Sequence, residues 1–255
     1  MPSEANIAPS AKPMFFTISV RGKTAEQPIL RFLAQNFGHV PIRQVDSVFG
    51  FVERCTLYGG RLFEHPQLSD RDVDVMYDCG IGLRLPFTNH YAEAQEYRDY
   101  QWLLKKYHRQ GNSVIITNDE LAQWIRQDFP DYQIEASVIK NLDRFDKITE
   151  ALALYDTVVL PMKVNENPAF LRKLDNKQRI RLFANAGCAL TCPSKICYPS
   201  ISKANKFTGA EFKCSQASKE RELIGMFDFD LDALTAMGFE RFKLLRPRPA
   251  GMTGY

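Results

Sequence analysis

Short runs of β-branched and aromatic residues alternate along this chain with stretches whose apolar positions recur every three or four residues. That alternation is the pattern of parallel strands joined by crossover helices. Eight strands are predicted, at 15–20, 47–52, 81–86, 113–117, 133–138, 157–161, 179–184 and 241–245. The third to seventh are near-continuous apolar runs, as a sheet buried on both faces requires. Between them, the capping-box spacing of Thr117-Asn118-Asp119-Glu120 opens a helix marked by Leu121, Ile125 and Phe129 and stopped by Pro130. Ala94, Tyr97, Tyr100, Leu104 and Tyr107 predict a second helical face, and Leu142, Phe145, Ile148 and Leu152 a third. Asn167-Pro168 reads as an N-cap with proline in the first turn. Each stripe is core packing and carries no chemistry.

Eight βα units predict a TIM-type (β/α)8 barrel, whose active site lies at the carboxyl ends of the strands. After the eighth strand only residues 246–255 remain, too few for a normal closing helix. The barrel is therefore expected to be incomplete at its C-terminal helix and to leave apolar surface between its first and last strands. Such a surface predicts a homo-oligomer or a heteromer with a related barrel. Residues 1–13 and 246–255 read as tails and 14–245 as a single domain.

Composition narrows the class without naming it. With 45% hydrophobic and 25% charged residues the chain is an ordinary globular protein. Its net charge of +3 is spread over interleaved acids and bases with no basic block, so nucleic acid is not implied. Neither a signal-peptide pattern nor a membrane-spanning apolar run is present, and the expectation is a cytoplasmic protein. Thiols stay reduced there, which turns the six cysteines from disulfides toward metal or redox roles.

The strand ends supply candidate pocket residues. After the second strand, Tyr58-Gly59-Gly60-Arg61 combines glycines that permit close backbone approach to a ligand with an arginine able to clamp an anion. The third strand leads into Thr88, Asn89 and His90, the last a candidate acid/base. Glu135 and Ser137 alternate on one face of the fifth strand, where they either serve a rim pocket or satisfy one another inside the barrel. Lys163 follows the sixth strand and Asn185 ends the seventh. Glu135, His90 and Lys163 are the catalytic candidates, with Arg61, Thr88, Asn89, Ser137 and Asn185 as substrate-binding ones. No Ser-His-Asp order, GxSxG elbow, Walker loop or HExxH motif occurs.

The most chemical stretch is Asn185-Ala-Gly-Cys188-Ala-Leu-Thr-Cys192-Pro-Ser-Lys-Ile-Cys197-Tyr198, followed at a distance by Cys214. Thiolates select zinc or iron-sulfur clusters, and a Gly/Pro-containing loop lets several sulfurs converge. Zinc fits poorly, because ribbons supply two close CxxC-type pairs and no histidine lies nearby. A radical-SAM loop has a different spacing and follows the first strand of its barrel. The spacing leaves a four-iron cluster (4Fe-4S) held by Cys188, by Cys192 or Cys197, and by Cys214.

The strand order, the Glu135-Ala-Ser137-Val-Ile-Lys-Asn141 segment and the Asn185-x-Gly-Cys188 loop resemble the collagenase-like peptidase family of TIM barrels, over roughly residues 80–215. That family includes proteins classed as peptidases, RNA-modification proteins and the paired iron-sulfur proteins of oxygen-independent ubiquinone hydroxylation. The resemblance implies that Cys188, Cys192, Cys197 and Cys214 hold a cluster and that the protein acts in a hydroxylation or modification pathway, with a partner subunit. Three readings follow: an iron-sulfur enzyme or enzyme subunit acting on a small organic or modified substrate; a hydrolytic or non-catalytic scaffold with a structural metal; and a metal-free lyase using Lys163 as Schiff-base amine, which needs a desolvated lysine.

Overall fold

The computed structural model describes residues 13–192, 194–216 and 225–246. Among them, eight parallel strands close into a barrel: β1 (Phe15–Ser19), β2 (Val45–Phe49), β3 (Gly82–Leu85), β4 (Ser113–Ile116), β5 (Gln133–Ala136), β6 (Thr157–Val159), β7 (Ile180–Phe183) and, after a two-stranded ribbon, β10 (Arg241–Leu244). The ribbon pairs β8 (Asn185–Ala186) antiparallel with β9 (Phe227–Asp228). Each of the eight predicted segments overlaps a barrel strand, and only the second is displaced, its strand starting two residues earlier at Val45. This is the (β/α)8 topology, with its loops of chemical interest at the carboxyl ends.

The sheet closes at the seam between its first and last strands, as a (β/α)8 barrel requires. β10 hydrogen-bonds to β7 on one side and to β1 on the other, with Phe15 opposite Arg241 and Ile18 opposite Leu244. The expected tails, 1–13 and 246–255, lie outside the described residues except for Pro13 and Arg246. An apolar groove runs along the seam, lined by Phe16, Phe37, Leu231 and Leu244 among others.

Strand alternation divides the sequence in a way that positions the site. Ile18, Val48, Leu83, Val114, Ile134, Val158, Leu182 and Phe242 are fully buried and belong to the core shared with the helices. Their neighbours Thr17, Ser47, Arg84, Ser113, Glu135, Thr157, Arg181 and Lys243 are buried and polar. These polar side chains point inward, because they bond across the barrel between strands that are not neighbours: Arg181 of β7 reaches Glu135 of β5 and Asp46 of β2. A barrel interior of this kind is usually filled with branched apolar residues. Here it is largely polar.

The surrounding helices follow local signals. α1 (Ile29–Phe37) buries Ile29, Phe32, Leu33 and Phe37, and α2 (Asp70–Asp78) begins at a Ser69/Asp72 capping box. Asp72 also pairs with the buried Lys23 at 2.6 Å and accepts from Ile29 N, tying the start of α1 to α2. The stripe through 94–107 is not one helix but two, α3 (Ala94–Asp99) and α4 (Gln101–Lys106), broken at Tyr100 with φ −105°. α5 (Asp119–Asp128) is capped by Asn118, α6 (Phe145–Leu154) buries Ile148 and Ala151, and α7 (Pro168–Arg172) carries the expected Asn167 cap with proline at its start. α8 (Cys197–Lys206) lies at the barrel mouth, and α9 (Leu231–Ala236) leads to β10. No helix among the described residues is long and apolar enough to cross a membrane.

Candidate functional site

At the centre of the barrel one carboxylate gathers several cations. Glu135, with no exposed surface, pairs through Oε2 with Arg84 Nη2 at 2.5 Å and Arg181 Nε at 2.9 Å, and accepts from Thr157 Oγ1 at 3.0 Å. Burial alone would raise its pKa, but Arg84, Arg181 and Lys243 outweigh it and hold the carboxyl down at about 2. A carboxylate so satisfied is a poor base at neutral pH. Glu135 is thus an interior ion-pair centre and not a residue of the rim. Ser137, on the same face as expected, does reach the rim and caps the short turn that follows β5.

Above this layer a pocket of about 700 Å³, its mouth included, opens among the carboxyl ends of the strands. Its polar wall comes from Arg21, Arg61, Thr88, Ser137, Lys243 and Arg246, and its apolar wall includes Phe49, Met162, Phe183 and Tyr198. Arg61 is buried, its guanidinium 4.8 Å from the Phe51 ring and its Nη2 donating to Gln67 Oε1 at 3.3 Å. The glycines before it serve a purpose other than the one expected. A Cβ on Gly59 would stand 2.4 Å from the Thr88 carbonyl oxygen, so the close approach is to the loop after β3 and not to a ligand. Gly60, at φ +71°, takes the left-handed turn that brings Arg61 back to the pocket.

Lys243 is the residue that sequence reasoning missed. It is 7% exposed, faces the pocket, and stacks its ammonium 4.4 Å from the Phe49 ring centre. Burial lowers its pKa to about 7, with Glu135 pulling upward and Arg84, Arg181 and Arg61 pushing further down. The signal was present: Arg241, Lys243 and Leu245 alternate as Glu135 and Ser137 do. Lys163, in contrast, is exposed and lines a surface groove with Asn141, Cys192 and Lys195. The desolvation that a Schiff-base amine needs is absent there, which removes the basis of the lyase reading at Lys163.

The asparagines and His90 organise loops. Buried Asn89 donates to the carbonyls of Thr56, Tyr58 and Ser202, pinning α8 over the mouth. His90 bonds the Ser202 hydroxyl through both its backbone N–H and ring Nδ1, and burial lowers its pKa. It does not line the central pocket. Asn185 exchanges two 2.9 Å bonds with the backbone of Leu245, clasping the exit of β7 to that of β10.

The four clustered thiols come from two separate segments. Cys188 is buried, while Cys192, Cys197 and Cys214 are half-buried. Ser200 in α8 clamps the second segment by donating to Lys213 O and accepting from Lys213 N, which delivers Cys214 toward Cys197 at the head of the helix. The Cys197 thiol is raised to about 11 by burial and then by the nearby Cys192, Cys214 and Cys188. Backbone N–H groups of Lys195 and Gln216 point at the sulfurs of Cys192 and Cys214. Among the described residues no three Cys, His, Asp or Glu side chains converge as they would on a single ion. Tyr198, next to Cys197, forms part of the pocket wall, so the thiols adjoin the pocket.

No family model matches the chain, and no curated protein matches it. Among solved structures, the U32 peptidase Mk0906 is similar, with a TM-score of 0.61 and 14% identity, over 97% of this chain and 98% of that one. The barrel has the fold of a collagenase-like peptidase. At this identity the likeness is one of fold alone, and the roles of the residues rest on their own geometry. Cys55 and Cys79 stand apart from the thiol group: Cys55 is buried in the core with burial raising its pKa, and Cys79 is exposed at the end of α2.

Proposed function

We propose that this chain is an iron-sulfur TIM-barrel enzyme or enzyme subunit, with Cys188, Cys192, Cys197 and Cys214 holding a four-iron cluster beside a pocket for a small organic substrate. The observation that carries the reading is the Ser200 clamp on Lys213, which brings Cys214 from a distant segment to the other three thiols. The donor set fits. Thiolates on a cluster bind different irons and stand wider apart than the ligands of one ion, which agrees with thiols that are neighbours without a single point of convergence. When bound, such a cluster supplies electron transfer or a Lewis-acidic iron. The chain's own residues do the rest: α8 and Tyr198 cover the mouth, Arg61 and Lys243 hold charge on the substrate, and the Glu135 ion pairs keep the floor rigid.

The reaction class this supports is redox or oxygen-independent hydroxylation or modification. Its partner would be a second copy of the chain, meeting it along the apolar groove outside the β1–β10 seam. Protein purified without oxygen should be brown, contain iron and sulfide, and lose both in Cys188→Ser or Cys192→Ser while Cys79→Ser keeps them. A colourless chain after anaerobic reconstitution contradicts the proposal. The fold likeness to a U32 peptidase favours a second reading, a hydrolytic or binding barrel whose thiols hold a structural metal. A redox titration separates them, since only the first requires a reversible couple.

A further inference from the structure

The geometry points to the barrel-mouth pocket as a binding site for a small, partly apolar organic acid, its carboxylate held between the Lys243 ammonium and the Arg61 guanidinium. Three observations carry this. Among the described residues the lining contains four cationic side chains, Arg21, Arg61, Lys243 and Arg246, and no aspartate or glutamate. Glu135, the carboxylate beneath, is already engaged by Arg84 and Arg181. Lys243 is nearly enclosed, aimed into the pocket, and no hydrogen-bond acceptor meets its ammonium among the described residues.

A buried ammonium without a bonded counter-charge is costly, and structures normally pair such a group. Its nearest neighbour is instead an aromatic face, Phe49 at 4.4 Å, with Phe183 at 5.9 Å on another side. Cation–π contact offsets part of that cost but not a full ion pair. The absent partner is an anion the pocket admits from outside. Phe49, Met162, Phe183 and Tyr198 then give the ligand's body an apolar wall, which favours an organic acid over inorganic phosphate.

The inference deepens the proposed function by naming the substrate class of the same mouth. It depends on that reading only for the chemistry that follows binding. Its test is binding alone, so a missing cluster and an empty pocket are separate failures.

Calorimetry on the full chain with benzoate, the uncharged benzamide and inorganic phosphate decides it. Benzoate should bind saturably at pH 6–7 and benzamide should not. Lys243→Met should weaken benzoate about tenfold or more, the effect of losing one charge-assisted contact. Lys243→Arg, which restores the charge, should recover most of it. In the native chain benzoate affinity should fall as pH rises above neutrality and Lys243 loses its proton; the charged groups that face its ammonium are Glu135, which stays ionised, and the guanidiniums of Arg84, Arg181 and Arg61. That decline should vanish in Lys243→Met. Should Lys243→Met fail to fold, the pH profile of the native chain and Lys243→Arg still decide. Equal binding of benzamide, undiminished binding in Lys243→Met, binding of phosphate in place of benzoate, or no binding of either anion would each overturn the assignment.

Discussion

Two residues at the barrel centre both have a pKa depressed by folding, but the charged form of one costs stability and that of the other contributes it, and the difference follows from their partners. Lys243 has a folded pKa near 7, below the ordinary lysine value, so between about pH 7 and pH 10 the unfolded chain binds more protons. Stability contributed by this site therefore rises across that window and its full cost is felt below it. Lys243→Met should raise the free energy of unfolding at pH 6–7 by on the order of a few kcal/mol, and the melting temperature with it, with the gain shrinking toward pH 10. A variant less stable than the native chain at pH 6 would mean that the ammonium is held by a partner of its own. Glu135 is depressed to about 2, so its contribution is complete above the ordinary carboxylate pKa and is lost as pH falls from about 4.5 toward 2. Glu135→Gln leaves Arg84 without its counter-ion and Arg181 with Asp46 alone, and urea unfolding at pH 7 should show a loss of about 3–5 kcal/mol. A loss of activity without that destabilisation would return Glu135 to the role of a catalytic group. Sequence alternation placed Glu135 and Ser137 on one face correctly. It did not tell the floor from the rim, because depth in a barrel depends on shear across all the strands.

Elements were legible where their signals are local. The strands announce themselves as apolar runs between turn residues, and the Asn167 cap fixes one helix start, while α5 starts one residue past the Thr117 of the capping-box spacing, on an Asn118 cap. The break at Tyr100 left no mark, since the apolar spacing continues across it and the chain bends without proline or glycine. The β8–β9 ribbon joins residues far apart in sequence, a pairing that no local pattern encodes. The same limit hid the role of Gly59, whose neighbour is the backbone of the loop after β3. Since a Cβ there meets carbonyl atoms and not a flexible side chain, Gly59→Ala should displace that loop. Thermal unfolding should show a destabilisation of about 1–3 kcal/mol, with weaker ligand binding because Arg61 and Thr88 move apart. An unchanged melting temperature would mean that the two loops slide past one another freely.

For the whole molecule, strand count, order and the barrel itself could be read from the sequence, but not which side chains its closure brings together, because the pairing of β1 with β10 joins the two ends of the described chain. Closure puts the β7–β10 connection, with its thiols, over the mouth, and it puts Lys243 beneath them. The candidate site is therefore a product of topology: a cation-lined pocket and a thiol group contributed by one long connection. Cys214 tests this most directly, since only the fold brings it to the other thiols. Iron and acid-labile sulfide should be measured in anaerobically purified native chain and in Cys214→Ser. The native chain should carry a cluster and the variant should lose most of its iron, with the melting behaviour of the barrel retained. Full iron content in Cys214→Ser, or none in the native chain, would contradict it.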